Sequence, residues 1–235
     1  NEASWKLPHS FSNVENYQVA WVSIAKYLEN SVLSVVPAMV LIIIMGTAAG
    51  FALEVMVFRG RRQTLLLFLA GMMIPGQMIL LPLFSVYFKL HLTGSLWPLI
   101  ITYTATGLPL TVFMMATYFR SIPREIFEAA TLDGASMLRI FARVAVPMMR
   151  GAIGTIALVQ FLFLWNDLLI ALTFTTQDSL RTVQVGLLNF TGKFGTVQYG
   201  PTFAAICINM LLVLGLYMLL NKQVMKGMTA GAVKG

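Results

Sequence analysis

Charged residues are scarce in this chain. They make up 11% of its 235 residues, while hydrophobic residues make up 58%. An ordinary soluble domain carries about 25% charged residues, so the composition excludes a soluble globular fold. With a mean hydropathy of +0.80 it specifies an integral membrane protein. Cysteine is nearly absent, and the single Cys207 excludes a disulfide framework or a thiol-ligated metal site within the chain. His9 and His91, the two histidines, are too far apart in sequence to suggest a metal site, and neither lies in an apolar run where it could serve an intramembrane enzyme. The first 30 residues hold no basic stretch followed by an apolar core, so no signal peptide or signal anchor is visible.

What the chain has is apolar length. Five charge-poor runs cover about 32–53, 64–88, 92–119, 152–172 and 201–220. Each is long enough to cross a hydrocarbon core of about 30 Å at about 1.5 Å per residue. Backbone groups in lipid must bond internally, so these runs are helices. The expected fold is all-α and polytopic, with five transmembrane helices present. It divides into an extracytoplasmic N-terminal segment (1–30), a transmembrane domain (31–220) and a cytoplasmic tail (221–235). Eleven of the sixteen basic residues fall in the loop after the first run, in residues 120–150 and in the tail, which alternation through five helices places on one side. The excess of Lys and Arg marks that side as cytoplasmic. Topology thereby explains the net charge of +7, and a nucleic-acid partner is excluded. The N-terminal segment is then outside, which implies an earlier span, a sixth, beyond this sequence.

The runs contain few polar residues, and those few are candidates for a pathway. Pro75 and Pro82 interrupt the second run near Gln77, which is expected to be a kinked helix or a broken one lining a pathway. Asp167 is the one acid well inside a run; a centred Asp costs about 2.5 to 3.5 kcal/mol on insertion scales. It is either a functional ionisable group or a helix-packing hydrogen bond with Asn166 or Trp165. Gln77, Tyr103, Gln160, Asn166, Asp167 and Asn209 are the polar side chains placed to face a substrate pathway. Residues 173–200 form a long, glycine-bearing extracytoplasmic loop, expected to be exposed and shaped for a partner. The small-residue tail is expected to be disordered.

Residues 120–150 are the longest charge-bearing segment, with five basic and three acidic residues between two apolar runs. Ser121 is the expected N-cap, with Pro123 and Glu125 in the first turn. A helix to about Leu132 breaks at Asp133-Gly134, and a second, from Ala135 to about Val144, stops before Pro147. Ala129 and Ala130 leave a patch without bulky side chains, Glu128 and Asp133 supply acceptors, and Met137, Leu138, Ile140 and Phe141 supply apolar knobs. This is the make-up of a helix that docks in a cleft on a soluble partner.

Glu128-Ala129-Ala130, Gly134 after three intervening residues and Val144-Ala145-Val146-Pro147 after nine more resemble the loop motif of ABC importer permeases. Val144 and Val146 stand where the family pattern has Ile and Leu. With SIPRE, LDGAS, WND and the terminal GMTAGAVKG, nearly the whole chain from about residue 14 is similar to the smaller permease of maltose-type carbohydrate importers. That resemblance implies a type I importer transmembrane domain in the bacterial inner membrane, paired with a second permease subunit. Two ATPase subunits would dock on 120–150, through Glu128, Ala129, Ala130, Asp133, Gly134 and Pro147. An extracytoplasmic solute-binding protein would contact 173–200, and an oligosaccharide would be carried. ATP and Mg would belong to the ATPases, since this chain has no G-x-x-x-x-G-K-[ST] sequence, no cofactor and no catalytic residue of its own. The rival expectation is a stand-alone secondary transporter or channel using Asp167 as a proton or ion site.

Overall fold

Ala20, Ile24, Leu28, Ser31, Val35, Ala38, Ile42, Gly46 and Gly50 recur at three- and four-residue steps, and all are buried along one face of a single helix, α1 (Val14–Val55). That period is the helical one. The helix was expected from about residue 32, where the uncharged run begins, but the stripe carries it a further four to five turns towards the N-terminus. At about 1.5 Å per residue its 42 residues reach roughly 63 Å, twice the hydrocarbon thickness. The computed structural model describes residues 14–190 and 199–232, and the side chains up to residue 218. The expectations that fall on 1–13, on 191–198 of the long loop and on the end of the tail motif lie outside the described residues.

No strand occurs among the described residues. After α1 come α2 (Arg61–Met72) and α3 (Gly76–Lys89), which meet at 94°. The second run is therefore two helices and not one. Pro75 makes the break because it lacks an N–H and forces the preceding residue out of the helical region. The amides of Met73 and Ile74 instead reach Ala70 and Gly71 at 3.1 and 3.4 Å, closing the last turn tightly. Pro82 breaks nothing: α3 continues through it, as α4 (Trp97–Arg120) continues through Pro109.

The segment after α4 contains α5 (Arg124–Leu132), α6 (Met137–Ile140), a π-helical stretch (Phe141–Ala145) and α7 (Val146–Met148). The chain continues with α8 (Arg150–Trp165), α9 (Leu169–Phe174), α10 (Val183–Leu187) and α11 (Tyr199–Ala232). Among the described residues, by length and composition three helices could cross a membrane (α1, α4, and α11 over Tyr199–Met218), or up to five if each bent pair counts as one span. The fourth run is not one helix to residue 172, because it breaks after Trp165. The backbone of α11 runs on to Ala232, past the expected end of the fifth run at 220 and through most of the tail expected to be disordered.

Helices α1 and α4 pack closely enough that a Cβ on Gly50 would lie 2.6 Å from Met115 Cβ and 3.0 Å from the amide nitrogen of Ala116. Around this pair are two apolar clusters. One gathers α1, α4, α8, α10 and α11 around Ile24, Leu99, Tyr103 and Trp165. The other gathers the opposite ends of α1 and α4 with α5, α6 and α8 around Phe51, Phe119, Phe127 and Ile140.

Residues 173–190, expected to form an exposed loop, instead fold onto the N-terminal part of α1. Asn30 is buried and donates to the carbonyls of Ser179 and Arg181 at 2.8 and 3.0 Å, and the Val183 amide donates to Ser31 Oγ at 2.9 Å. Tyr27, Asp178, Arg181 and Asn189 close a polar cluster above them. The loop is a packed cap whose exposed rim includes Thr176, Gln177 and Asp178.

The tight α1–α4 contact yields a direct expectation. Gly50→Leu forces the helices apart and costs about 1–3 kcal/mol, as overpacking generally does, so the detergent-solubilised protein should unfold at a lower temperature than wild type. The exposed Ser85→Leu substitution on α3 should leave that temperature unchanged.

Candidate functional site

Helix α5 is held from one side and open on the other. Phe127 is buried and meets Phe51 of α1 edge to face, with ring centroids 6.0 Å apart; Phe51 also meets Phe119 of α4 at 5.6 Å and Phe141 at 5.2 Å. One ring thus joins two spanning helices to both parts of the 120–150 segment. Glu128, Ala129 and Asp133 face outward, whereas Ala130 is half-buried against the cluster. Of the four expected apolar knobs, Met137 and Leu138 are exposed, but Ile140 is fully buried and Phe141 packs inward. The outward surface is supplemented by Leu132, which is 89% exposed and was not among the expected knobs.

The turn after α5 is a Schellman motif. The Ala135 amide donates to the Ala130 carbonyl at 3.1 Å, the Gly134 amide donates to Thr131 at 3.0 Å, and Gly134 sits at φ +75°. A Cβ there would touch nothing within 4 Å, so glycine is required by conformation and not by space. Two local expectations are corrected. Ser121 is no N-cap: it ends α4, and its hydroxyl donates back to the Tyr118 carbonyl at 2.7 Å. Pro123 holds the N-cap position of α5, extended at ψ 131°, and Glu125 is in the first turn. Pro147 does not stop the second helix either. It lies in the first turn of α7, which runs on directly from the wide turn of the π-helical stretch.

The same end of the molecule carries a cavity of about 1000 Å³ between α1, α2, α4 and α5. Arg120 of α4 clamps Glu54 of α1 in its wall, with Nε and Nη2 donating to the two carboxylate oxygens at 3.3 and 3.1 Å. This two-point pairing fixes the ends of α1 and α4 relative to each other.

Towards the other end, three of the six pathway candidates come together. Tyr103, Gln160 and Asp167 line a pocket of about 250 Å³ with Thr106, which the sequence reading missed. Tyr103 donates to Asp167 Oδ2 at 3.0 Å; the same oxygen receives the Ala171 amide at 2.9 Å, and Oδ1 receives that of Ile170 at 3.4 Å. Asp167 therefore sits in the break between α8 and α9 and caps the first turn of α9. Its partners are Tyr103 and two backbone amides, not Asn166 or Trp165. Gln160, buried, donates to the Gly107 carbonyl at 2.9 Å and to Thr111 at 2.8 Å. The other three candidates are elsewhere. Asn209 accepts from Trp165 Nε1 at 3.0 Å, Asn166 is exposed and bonds back to Leu162, and Gln77 is exposed at the start of α3. Among the described residues no cluster of His, Cys, Asp or Glu could hold a metal ion.

The family model described as binding-protein-dependent transport system inner membrane component matches residues 16–226. The chain belongs to this family. A component of this family is an integral inner-membrane protein, works with a binding protein and ATPase subunits, and is not itself the ATPase. Curated members resemble the chain over 89–100% of its length. A probable ABC transporter permease protein of Bacillus subtilis is 33% identical over 100% of this chain and 78% of its own. A diacetylchitobiose uptake system permease protein of Streptomyces coelicolor is 33% identical over 94% and 74%. A trehalose/maltose transport system permease protein of Thermococcus litoralis is 31% identical over 89% and 75%. Among solved structures, a bacterial ABC transporter involved in the import of the acidic polysaccharide alginate superposes with a TM-score of 0.75 at 22% identity, over 89% of this chain and 79% of that one. The fold is thus that of type I importer transmembrane domains.

In this geometry Asp167 caps the first turn of α9 and ties it to Tyr103 of α4. Asp167→Asn keeps an acceptor for Tyr103 and Ala171 and should unfold at nearly the wild-type temperature. Asp167→Leu leaves those donors unpaired and should cost about 1–3 kcal/mol, read as a lower unfolding temperature in detergent.

Proposed function

We propose that this chain is a permease subunit of an ATP-driven carbohydrate importer and that residues 120–150 carry the motion of the ATPases into its spans. One observation carries the coupling role: α5 is anchored through Phe127 on Phe51, between α1 and α4, while Glu128, Ala129 and Asp133 remain open to a partner. A soluble subunit that closes its cleft on α5 displaces a short helix backed by packed rings, and packed cores shift as units. Gly134 and its Schellman turn hold α5 at a set angle to α6, and Pro147 starts the short helix leading to α8.

The transmembrane part of 31–220 spans the bilayer with the arginine-rich end and the tail in the cytoplasm, where Lys and Arg concentrate. Residues 14–30 project outside as the first turns of α1. The 173–200 loop, exposed at Thr176, Gln177 and Asp178, meets the solute-binding protein, a second permease subunit completes the pathway, and ATP and Mg are held by two ATPase subunits. Tyr103, Gln160 and Asp167, with Gln77, Asn166 and Asn209 less centrally placed, contribute the polar lining on this side. The substrate class rests on relatives named for diacetylchitobiose and for trehalose/maltose, and an oligosaccharide fits those names. The stand-alone ion-coupled reading finds no support in Asp167, whose oxygens are engaged by Tyr103 and by α9.

Uptake of labelled oligosaccharide in cells tests the coupling role. A non-glycine, non-Asn residue at φ +75° is strained by about 1–2 kcal/mol, so Gly134→Val should lower uptake at least about tenfold while the protein still inserts. Gly134→Asn, which tolerates that conformation, should retain at least about half. Glu128→Lys should reduce uptake and the amount of ATPase co-purified. Normal uptake in both Gly134→Val and Glu128→Lys overturns the coupling role.

A further inference from the structure

The large cavity at the arginine-rich end combines two kinds of wall. Four arginines against two glutamates line it, so it carries a net positive charge. Arg120 is committed to Glu54. Arg62 and Arg124 are exposed and make no ion pair or hydrogen bond with any described residue. Beside them the wall is apolar, with Leu53 of α1 and Leu65 and Leu66 of α2, and Leu66 is 55% exposed. The cavity is therefore lined both by the ends of α1 and α4 and by arginines on α2 and α5.

We infer that this cavity is a binding site for the headgroup of an anionic phospholipid, with an acyl chain lying against Leu65 and Leu66. A planar guanidinium offers paired N–H donors that match phosphate oxygens, and two such forks from different helices grip one phosphodiester from two sides. Basic pockets between spanning helices on the cytoplasmic face have this chemistry. A volume of about 1000 Å³ is far larger than a lone phosphate needs and is at the upper end of ordinary ligand pockets. A leucine wall gives a free inorganic anion nothing, whereas it solvates a lipid tail. An acidic protein segment would satisfy the arginines but would set a polar backbone against Leu53, Leu65 and Leu66. A lipid held here would brace α2 against α5, and its site shares Glu128, Leu132 and Met137 with the proposed coupling surface. The site itself requires neither that coupling role nor any particular solute.

Native mass spectrometry of the delipidated full chain tests this without ATP, sugar or partners. Phosphatidylglycerol should bind more tightly than phosphatidylcholine. The preference should fall about fivefold for each arginine removed, hence about 25-fold in the double variant Arg62→Gln/Arg124→Gln. The double variant Arg62→Lys/Arg124→Lys should keep part of it, because charge remains while the fork is lost. Arg150→Gln, outside the cavity wall, should behave as wild type. Equal binding of the two lipids by wild type overturns the proposal even if the variants fail to fold. So does an unchanged preference in the Gln double variant. Displacement of the lipid by millimolar inorganic phosphate would make this a free-anion site and sink the lipid reading. Loss of co-purifying ATPase from the Gln variant with lipid binding intact would assign the cavity to the protein partner instead.

Discussion

The contact on which the arrangement depends is the ring of Phe51 between Phe119, Phe127 and Phe141. Without it, the 120–150 segment would be a polar connector resting on two helices by its covalent ends alone. With it, α5 and the π-helical stretch share one apolar cluster with α1 and α4, and Ile140 and Ala145 are sealed inside. Aromatic rings meeting edge to face contribute more than their buried area, and they tolerate little sliding before contact is lost. A push on the outer face of α5 therefore reaches two spanning helices together. The Glu54–Arg120 clamp fixes the same two helices one turn further on, so the end of the α1–α4 pair behaves as a unit.

Polar groups within the spans obey a complementary constraint. Most that are buried find a partner, because unpaired burial costs more than the bond returns; Thr47 Oγ1 on α1 is an exception. Asp167 meets this requirement by ending one helix and starting another, so that its carboxylate serves two free amides and Tyr103. Gln160 meets it across helices, on Gly107 and Thr111, where the missing side chain of Gly107 brings the backbone carbonyl within reach. On the N-terminal part of α1, Asn30 and Ser31 do the same for the turn-rich segment 178–183. The polar side of the pocket, formed by Tyr103, Gln160 and Asp167, is thus held in place by hydrogen bonds.

Several features were legible in the residue order because they depend on neighbours in the chain. The break at Asp133-Gly134 follows from glycine's access to positive φ, and the break at Pro75 from the lost N–H and the restriction on the residue before it. The N-terminal half of α1 was legible too, through the stripe at 20, 24, 28 and 31, but a search for uncharged runs passes over it because Glu15, Lys26 and Glu29 interrupt the composition without interrupting the face. Pro82, Pro109 and Pro147 show the limit of the same rule. A proline ends a helix only where packing does not hold the flanking turns in place, and that packing comes from residues far away in sequence. Ile140 and Phe141 failed as outward knobs for a related reason: a short amphipathic segment does not reveal which neighbour will claim its apolar side.

By itself, then, the sequence determined that the chain lives in a membrane, that it is helical, that its arginines gather at one end, and that the 120–150 segment has the helix–turn–helix form and spacing of a docking loop. These follow from composition, from the hydrogen-bonding demands of lipid and from local φ preferences. Only the tertiary structure decided that Phe51 is the joint behind α5, that Tyr103, Gln160 and Asp167 meet while Gln77, Asn166 and Asn209 do not, and that Arg62 and Arg124 share a cavity with leucines of α2. Each of those is a contact between residues separated by tens of positions, and its existence is set by how α1 and α4 pack, which no local rule contains.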